Sequence, residues 1–163
     1  MFTLRSVTDE DAEFLYRTYA STREEELSVV PWSVEQKDAF LRSQFAAQDS
    51  HYRKHYHDAA YDVVLIDGEP AGRLYVARWA GEIRIMDISL LPAFRRRGAG
   101  EELLRAVFAE ADRDGKLVSI HVEQQNPARR LYERLGFRAI EEGEPSVYVK
   151  MERAPARTSQ AAG

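Results

Sequence analysis

Glu82-Ile83-Arg84-Ile85-Met86-Asp87-Ile88-Ser89-Leu90 leads through Leu91-Pro92-Ala93-Phe94 into Arg95-Arg96-Arg97-Gly98-Ala99-Gly100. The alternation of Ile83, Ile85 and Asp87 reads as a strand from Glu82 to Leu90. After the glycines, Leu103, Leu104, Val107, Phe108 and Ala111 recur at helical spacing until Asp114-Gly115 ends the run. Residues 95–100 therefore join a strand to a helix. The first amides of a helix have no partner inside it and lie at the positive end of its dipole, so they attract an anion. Gly98 and Gly100 let a bulky phosphate approach the backbone, and the three arginines add charge and forked donors. A Lys-Ser/Thr phosphate loop is excluded because Glu101-Glu102 follow, and a dinucleotide fingerprint because its third glycine is Leu103.

Working outward, Lys116–Val122 reads as the next strand, so strand, helix and strand form a βαβ unit whose strands run parallel with a right-handed crossover. On the other side, Tyr61–Ile66 and Pro70–Arg78 flank Asp67-Gly68, a two-residue hairpin signal, and Ala80-Gly81 turns again. These three strands form an antiparallel meander. Phe2–Arg5 is a short first strand. Thr8 caps a helix that runs to about Thr22 with Phe14, Leu15 and Tyr19 on one face. Ser33 and Gln36 form a capping box for a second helix carrying Phe40, Leu41 and Phe45, and the polar, aromatic segment Asp49–Asp58 holds the helix end and a loop. Asn126-Pro127 opens a helix that closes at Gly136, with Asn126 as its cap. Phe137–Glu141 and Ser146–Met151 are closing strands, and Ala154–Gly163 is a small, polar tail expected to fray. The expectation is an α/β (α+β) domain over residues 1–153. It has a central mixed, mostly antiparallel sheet of about seven strands with helices on both faces.

The 163 residues, 44% apolar and 31% charged, fit one globular domain. With no cysteine there is neither a disulfide framework nor a thiolate nucleophile. A net charge of −4 argues against general nucleic-acid binding, and no apolar run is long enough to span a membrane. The N-terminus lacks a secretion signal, which makes a cytoplasmic address the expectation. His51, His55 and His57 lack the carboxylate or cysteine that would complete a metal site.

Arg95-x-x-Gly98-x-Gly100 after Leu90-Leu91-Pro92 resembles the acetyl-coenzyme A motif of the GNAT N-acetyltransferase superfamily. Asn126-Pro127-Ala128-Arg129-Arg130-Leu131-Tyr132-Glu133-Arg134-Leu135-Gly136-Phe137 resembles that family's second signature. Arg96 stands where the loop usually has glycine, Ala99 where it usually has isoleucine, and the spacing from Asn126 to Tyr132 is one residue shorter than in many members. The resemblance implies a sheet splayed between its fourth and fifth strands, with acetyl-CoA as co-substrate and no metal. It implies that the CoA pyrophosphate rests on Arg95, Arg96, Arg97, Gly98, Ala99 and Gly100. The pantetheine arm would run along Leu90, Leu91 and Pro92, and Asn126, Arg129 and Tyr132 would meet the cofactor from the other side. Homodimers are common among members.

The implied reaction is direct attack of a primary amine on the thioester, with Tyr132 as the acid that protonates the leaving thiolate. Its helical spacing with Leu131 and Leu135 equally suits a core aromatic. Asp87, His121 and Glu123 are the candidate bases, each of which as a strand residue can instead be merely hydrogen-bonded. Glu24, Glu25 and Trp32 lie where members usually build the acceptor site, and an acidic lip there favours a cationic amine. The competing reading is a catalytically silent acyl-CoA-binding module of the same fold.

Overall fold

The structure, a computed structural model, describes residues 1–141, 143 and 146–156. In chain order the elements are β1 (Phe2–Ser6), α1 (Ala12–Ser21), α2 (Glu24–Ser28), α3 (Val34–His55), β2 (Ala60–Ile66), β3 (Glu69–Arg78) and β4 (Glu82–Leu90). They continue with α4 (Ala99–Asp114), β5 (Leu117–Glu123), α5 (Arg129–Arg134), β6 (Arg138–Ile140) and β7 (Tyr148–Arg153). One seven-stranded sheet takes the order β1-β2-β3-β4-β5-β7-β6. β1 lies antiparallel to β2 from Phe2↔Ile66 to Ser6↔Asp62. β5 and β6 both lie antiparallel to β7. The parallel ladder of β4 and β5 runs from Glu82↔Leu117 to Ile85↔Ile120. The mixed, mostly antiparallel sheet read from the sequence is thus present, as is the hairpin between β2 and β3. Asp67 and Gly68 take φ of 50° and 82°, the left-handed pair a tight hairpin turn requires.

The described residues divide into two compact units, one of residues 1–75 with 87–100, the other of residues 76–86 with the described residues from 101 onward. In the first, Tyr16 and Tyr19 of α1 and Leu41 of α3 form a buried cluster, joined by Leu27 of α2 and Phe45 of α3. In the second, the predicted apolar face of α4 is buried throughout: Leu103, Leu104, Val107, Phe108 and Ala111 are each at most 5% exposed. Burying each of the larger side chains contributes about 1.5–3 kcal/mol.

One end is sharpened by the structure and two elements differ from expectation, each for an identifiable reason. α3 ends at His55, inside the Asp49–Asp58 segment expected to hold the helix end and a loop. The Tyr52 ring packs edge-on against Tyr75 at 5.9 Å, and Arg53, Lys54 and His55 complement the negative end of the helix dipole. α2 was unforeseen; its first turn is Glu24, Glu25 and Glu26, with Arg23 pairing to Glu26 at 3.1 Å. α5 begins only at Arg129. Asn126 does not cap it directly: its Oδ1 accepts from the Ala128 amide at 2.9 Å and holds the turn that precedes the helix. Of the tail, Ala156 donates its amide to Asp112 at 2.9 Å, and residues 157–163 lie outside the described residues.

Candidate functional site

In the first unit the site starts from a close approach of two strands. A Cβ on Gly72 of β3 would stand 2.1 Å from the Ser89 carbonyl oxygen and 2.9 Å from Leu90 Cα. Only glycine lets β3 lie this near the end of β4. Just beyond, the Leu91 amide donates to the Ala71 carbonyl at 2.8 Å. Pro92–Phe94 form a single 3-10 turn, and Arg95 then folds back, donating from Nε to the Leu90 carbonyl at 2.8 Å and from a terminal nitrogen to Ser21 Oγ of α1 at 3.1 Å. Arg96 and Gly98 take left-handed φ of 61° and 81°. Left-handed residues are one component of the turns in which successive backbone N–H groups can face an anion. Space is open above both Gly98 and Gly100. Arg97 lies over the Phe94 ring at 5.8 Å, and Ala99 begins α4.

Asp87 of β4 stands at the rim of a buried polar cluster. Its carboxylate pairs with the Arg73 guanidinium and accepts from Ser89 Oγ at 2.6 Å. Arg73, 2% exposed, also donates to Gln48 Oε1 of α3 at 2.8 Å. Its Cζ lies 4.8, 5.9 and 6.0 Å from the ring centroids of Tyr75, Phe45 and Tyr19. Burial is the largest single influence and acts to lower the guanidinium pKa, but Asp87, Tyr75 and Tyr52 together outweigh it and the pKa is raised. Burial pushes the Tyr52 and Tyr75 phenols up. Among the described residues, Arg73 Nε and the Tyr75 hydroxyl are buried without a hydrogen-bond partner. Glu24 and Glu25 are exposed on α2, and Trp32, 42% exposed, meets the Phe40 ring at 5.3 Å.

In the second unit Tyr132 of α5 is 7% exposed, with its ring edge-on to Phe137 at 5.7 Å. Its backbone accepts the Phe137 amide at 3.0 Å and so ties the end of α5 to the start of the closing strands. Arg129 donates to the Gln124 carbonyl at 3.3 Å, and its Nε is buried without a partner. His121 and Glu123 alternate on β5 with buried Ile120 and Val122, which puts both on one face. His121 is exposed opposite Lys150 of β7. Glu123 opens on a recess of about 440 Å³ lined also by Gln124, Gln125, Ser146 and Val147.

Sequence reading missed Gly72 and Arg73. A glycine inside a strand signals close backbone approach and was available as a clue. An arginine on a strand reads as exposed, and only the fold brings Asp87 and Gln48 to it. The three histidines form no larger cluster: the His51 and His55 rings stand 4.5 Å apart, and among the described residues no group of three His, Asp or Glu could hold a metal ion. No helix among the described residues is long and apolar enough to cross a membrane.

The model of the acetyltransferase (GNAT) family matches residues 14–137. Among solved structures the chain is similar to the PaiA N-acetyltransferase of Thermoplasma acidophilum, solved in complex with coenzyme A. The two are 17% identical over 94% of this chain and 99% of that one, with a TM-score of 0.68. It is also similar to the ribosomal-protein-S18-alanine N-acetyltransferase of Escherichia coli, at 20% identity over 98% of this chain and 97% of that one, with a TM-score of 0.58. Comparison with curated proteins finds no match.

Proposed function

The chain belongs to the acetyltransferase (GNAT) family, and from that premise we propose that residues 1–153 transfer an acetyl group from acetyl-CoA to a primary amine by direct attack. The observation that carries this reading is the loop before α4, with left-handed Arg96 and Gly98 and open space above both glycines. Amides there receive the CoA pyrophosphate, and Arg96 and Arg97 add charge-assisted bonds. Arg95, already fixed to Leu90 and Ser21, sets the shape of the loop.

The pantetheine arm lies along the end of β4. Since Pro92 has no N–H and the Leu91 amide is held by Ala71, the Leu90 amide is the donor that polarises the thioester carbonyl and supports the oxyanion. Asn126 and Arg129 hold the cofactor from α5 and the turn before it. The amine nitrogen forms a bond to the acetyl carbon, and the carbon–sulfur bond breaks. Tyr132 gives its proton to the departing thiolate, and Asp87, His121 or Glu123 takes the amine's proton, directly or through water. Glu24, Glu25 and Trp32 form the lip that admits a cationic acceptor.

The test is a panel of n-butylamine, 1,4-diaminobutane and an alanine-leading hexapeptide, each incubated with acetyl-CoA and read by mass. A gain of one acetyl group with release of free CoA thiol is expected. Calorimetric CoA binding with no acetylated product would support the silent binding module instead, and absent CoA binding would sink both.

A further inference from the structure

The polar cluster beneath α3 is an unusual thing to build into a core. A buried ion pair adds little to stability, because desolvating both charges cancels most of their attraction, and an apolar pair of similar volume serves as well. Here the pair comes with two further buried groups, Arg73 Nε and the Tyr75 hydroxyl, that have no hydrogen-bond partner among the described residues. The members are graded in access. Arg73 is 2% exposed, gripped by Gln48 of α3 and walled by Tyr19, Phe45 and Tyr75, whereas the Asp87 side chain is 13% exposed. One Asp87 oxygen takes Arg73 and the other takes Ser89 Oγ. An ionised carboxylate has about four acceptor positions, so two remain for a ligand.

Resting on the acetyltransferase reading above, we propose that Arg73 is a positioning residue that fixes the Asp87 carboxylate as the ionic anchor for an acceptor arriving as an ammonium. Arg73 cannot touch the acceptor; it acts through Asp87, whose orientation it sets while Gln48 sets its own. Asp87 binds the amine rather than taking its proton, which narrows the base to His121 or Glu123. The groups that interact with Asp87 are Arg73 and Tyr75 from β3, Ser89 from β4 and Tyr52 from α3, while Gln48 of α3 reaches it only through Arg73.

The full chain and its D87N, R73M, R73M/D87N and Q48A variants are assayed with the panel amine that the wild type acetylates fastest. A charge-assisted hydrogen bond is worth about 1.5–3 kcal/mol, so D87N raises the amine KM by about tenfold or more. The KM for acetyl-CoA and the pH profile of kcat stay as in the wild type. R73M has a similar effect, the double variant is no worse than D87N alone, and Q48A gives a smaller rise. Multiplying effects in the double variant would overturn the role of Arg73. A fall in kcat at unchanged amine KM in D87N would make Asp87 the base instead. If R73M alone fails to fold, the double variant, which leaves no unpaired buried charge, and Q48A carry the test. Titration of 1,4-diaminobutane into the CoA-loaded chain reads the anchor without turnover. An affinity that D87N lowers about tenfold supports the proposal, and no binding or unchanged affinity overturns it. Loss of CoA binding by the wild type would instead strike the acetyltransferase reading.

Discussion

Gly72 shows how much one missing Cβ can decide. A methyl group there would meet two backbone atoms, the Ser89 carbonyl oxygen and Leu90 Cα, neither of which can rotate away. Gly72→Ala must therefore push the end of β4 outward and strain the Leu91–Ala71 hydrogen bond. We expect a loss of about 1–3 kcal/mol in urea unfolding, with CoA affinity falling alongside. An unchanged unfolding midpoint would show the approach to be looser than described. Asp11 makes a second prediction from a single side chain. Arg5 grips both of its oxygens at 2.8 Å and the Thr8 amide donates at 2.8 Å. The hydrogen bonds from Arg5 outweigh the effect of burial and lower the Asp11 pKa to about 2. An unfolded aspartate titrates near 3.9, so the unfolded chain takes up its proton first as the pH falls. The stabilisation is complete above about pH 4 and is lost on descending towards about pH 2. Asp11→Asn should flatten the melting temperature across that window and leave its slope near pH 7 unchanged.

At the scale of elements, α3 is the helix whose start was written most openly. Ser33 Oγ accepts the Gln36 amide at 3.1 Å, and Gln36 Oε1 accepts the Ser33 amide at 2.8 Å. Ser33→Ala should cost about 1 kcal/mol, measured by denaturant unfolding, and Ser33→Asp should cost far less. The far end of the same helix was legible only as lying between Asp49 and Asp58, because what holds its last turns is the meeting of Tyr52 with Tyr75 from β3, a contact no local pattern announces. The same division runs through the rest of the chain. The Asp67-Gly68 turn and the apolar face of α4 are local signals and could be read directly. α2 has only five residues and buries none of them, so it carries no periodicity to read. In the candidate site, the loop from Arg95 to Gly100 was visible because glycine and charge are concentrated in six consecutive residues. The Arg73–Asp87–Gln48 cluster was not, because its members come from three elements; Asp87 stood out as a candidate base, but Arg73 and Gln48 look ordinary in their own.

For the whole molecule, the proposed cofactor site makes folding and binding one equilibrium. A ligand that binds only the folded chain adds RT ln(1 + [L]/Kd), about 2.7 kcal/mol at one hundred times Kd. For a chain of 163 residues each kcal/mol raises the melting temperature by about 2–4 °C. CoA at that excess should therefore raise it by roughly 5–10 °C. Two substitutions then separate binding from chemistry. Gly98→Trp fills the open space above the loop and forces a bulky residue to φ of 81°, so the CoA-induced shift should vanish even though the unliganded protein still melts cooperatively. Tyr132→Phe keeps the ring that packs against Phe137 and removes only the hydroxyl. The shift should persist while acetyl transfer falls about 10²- to 10⁴-fold, the range for losing a general acid. Equal turnover in Tyr132→Phe would remove that residue from the chemistry and leave the loop assignment standing. A full CoA shift in Gly98→Trp would do the reverse.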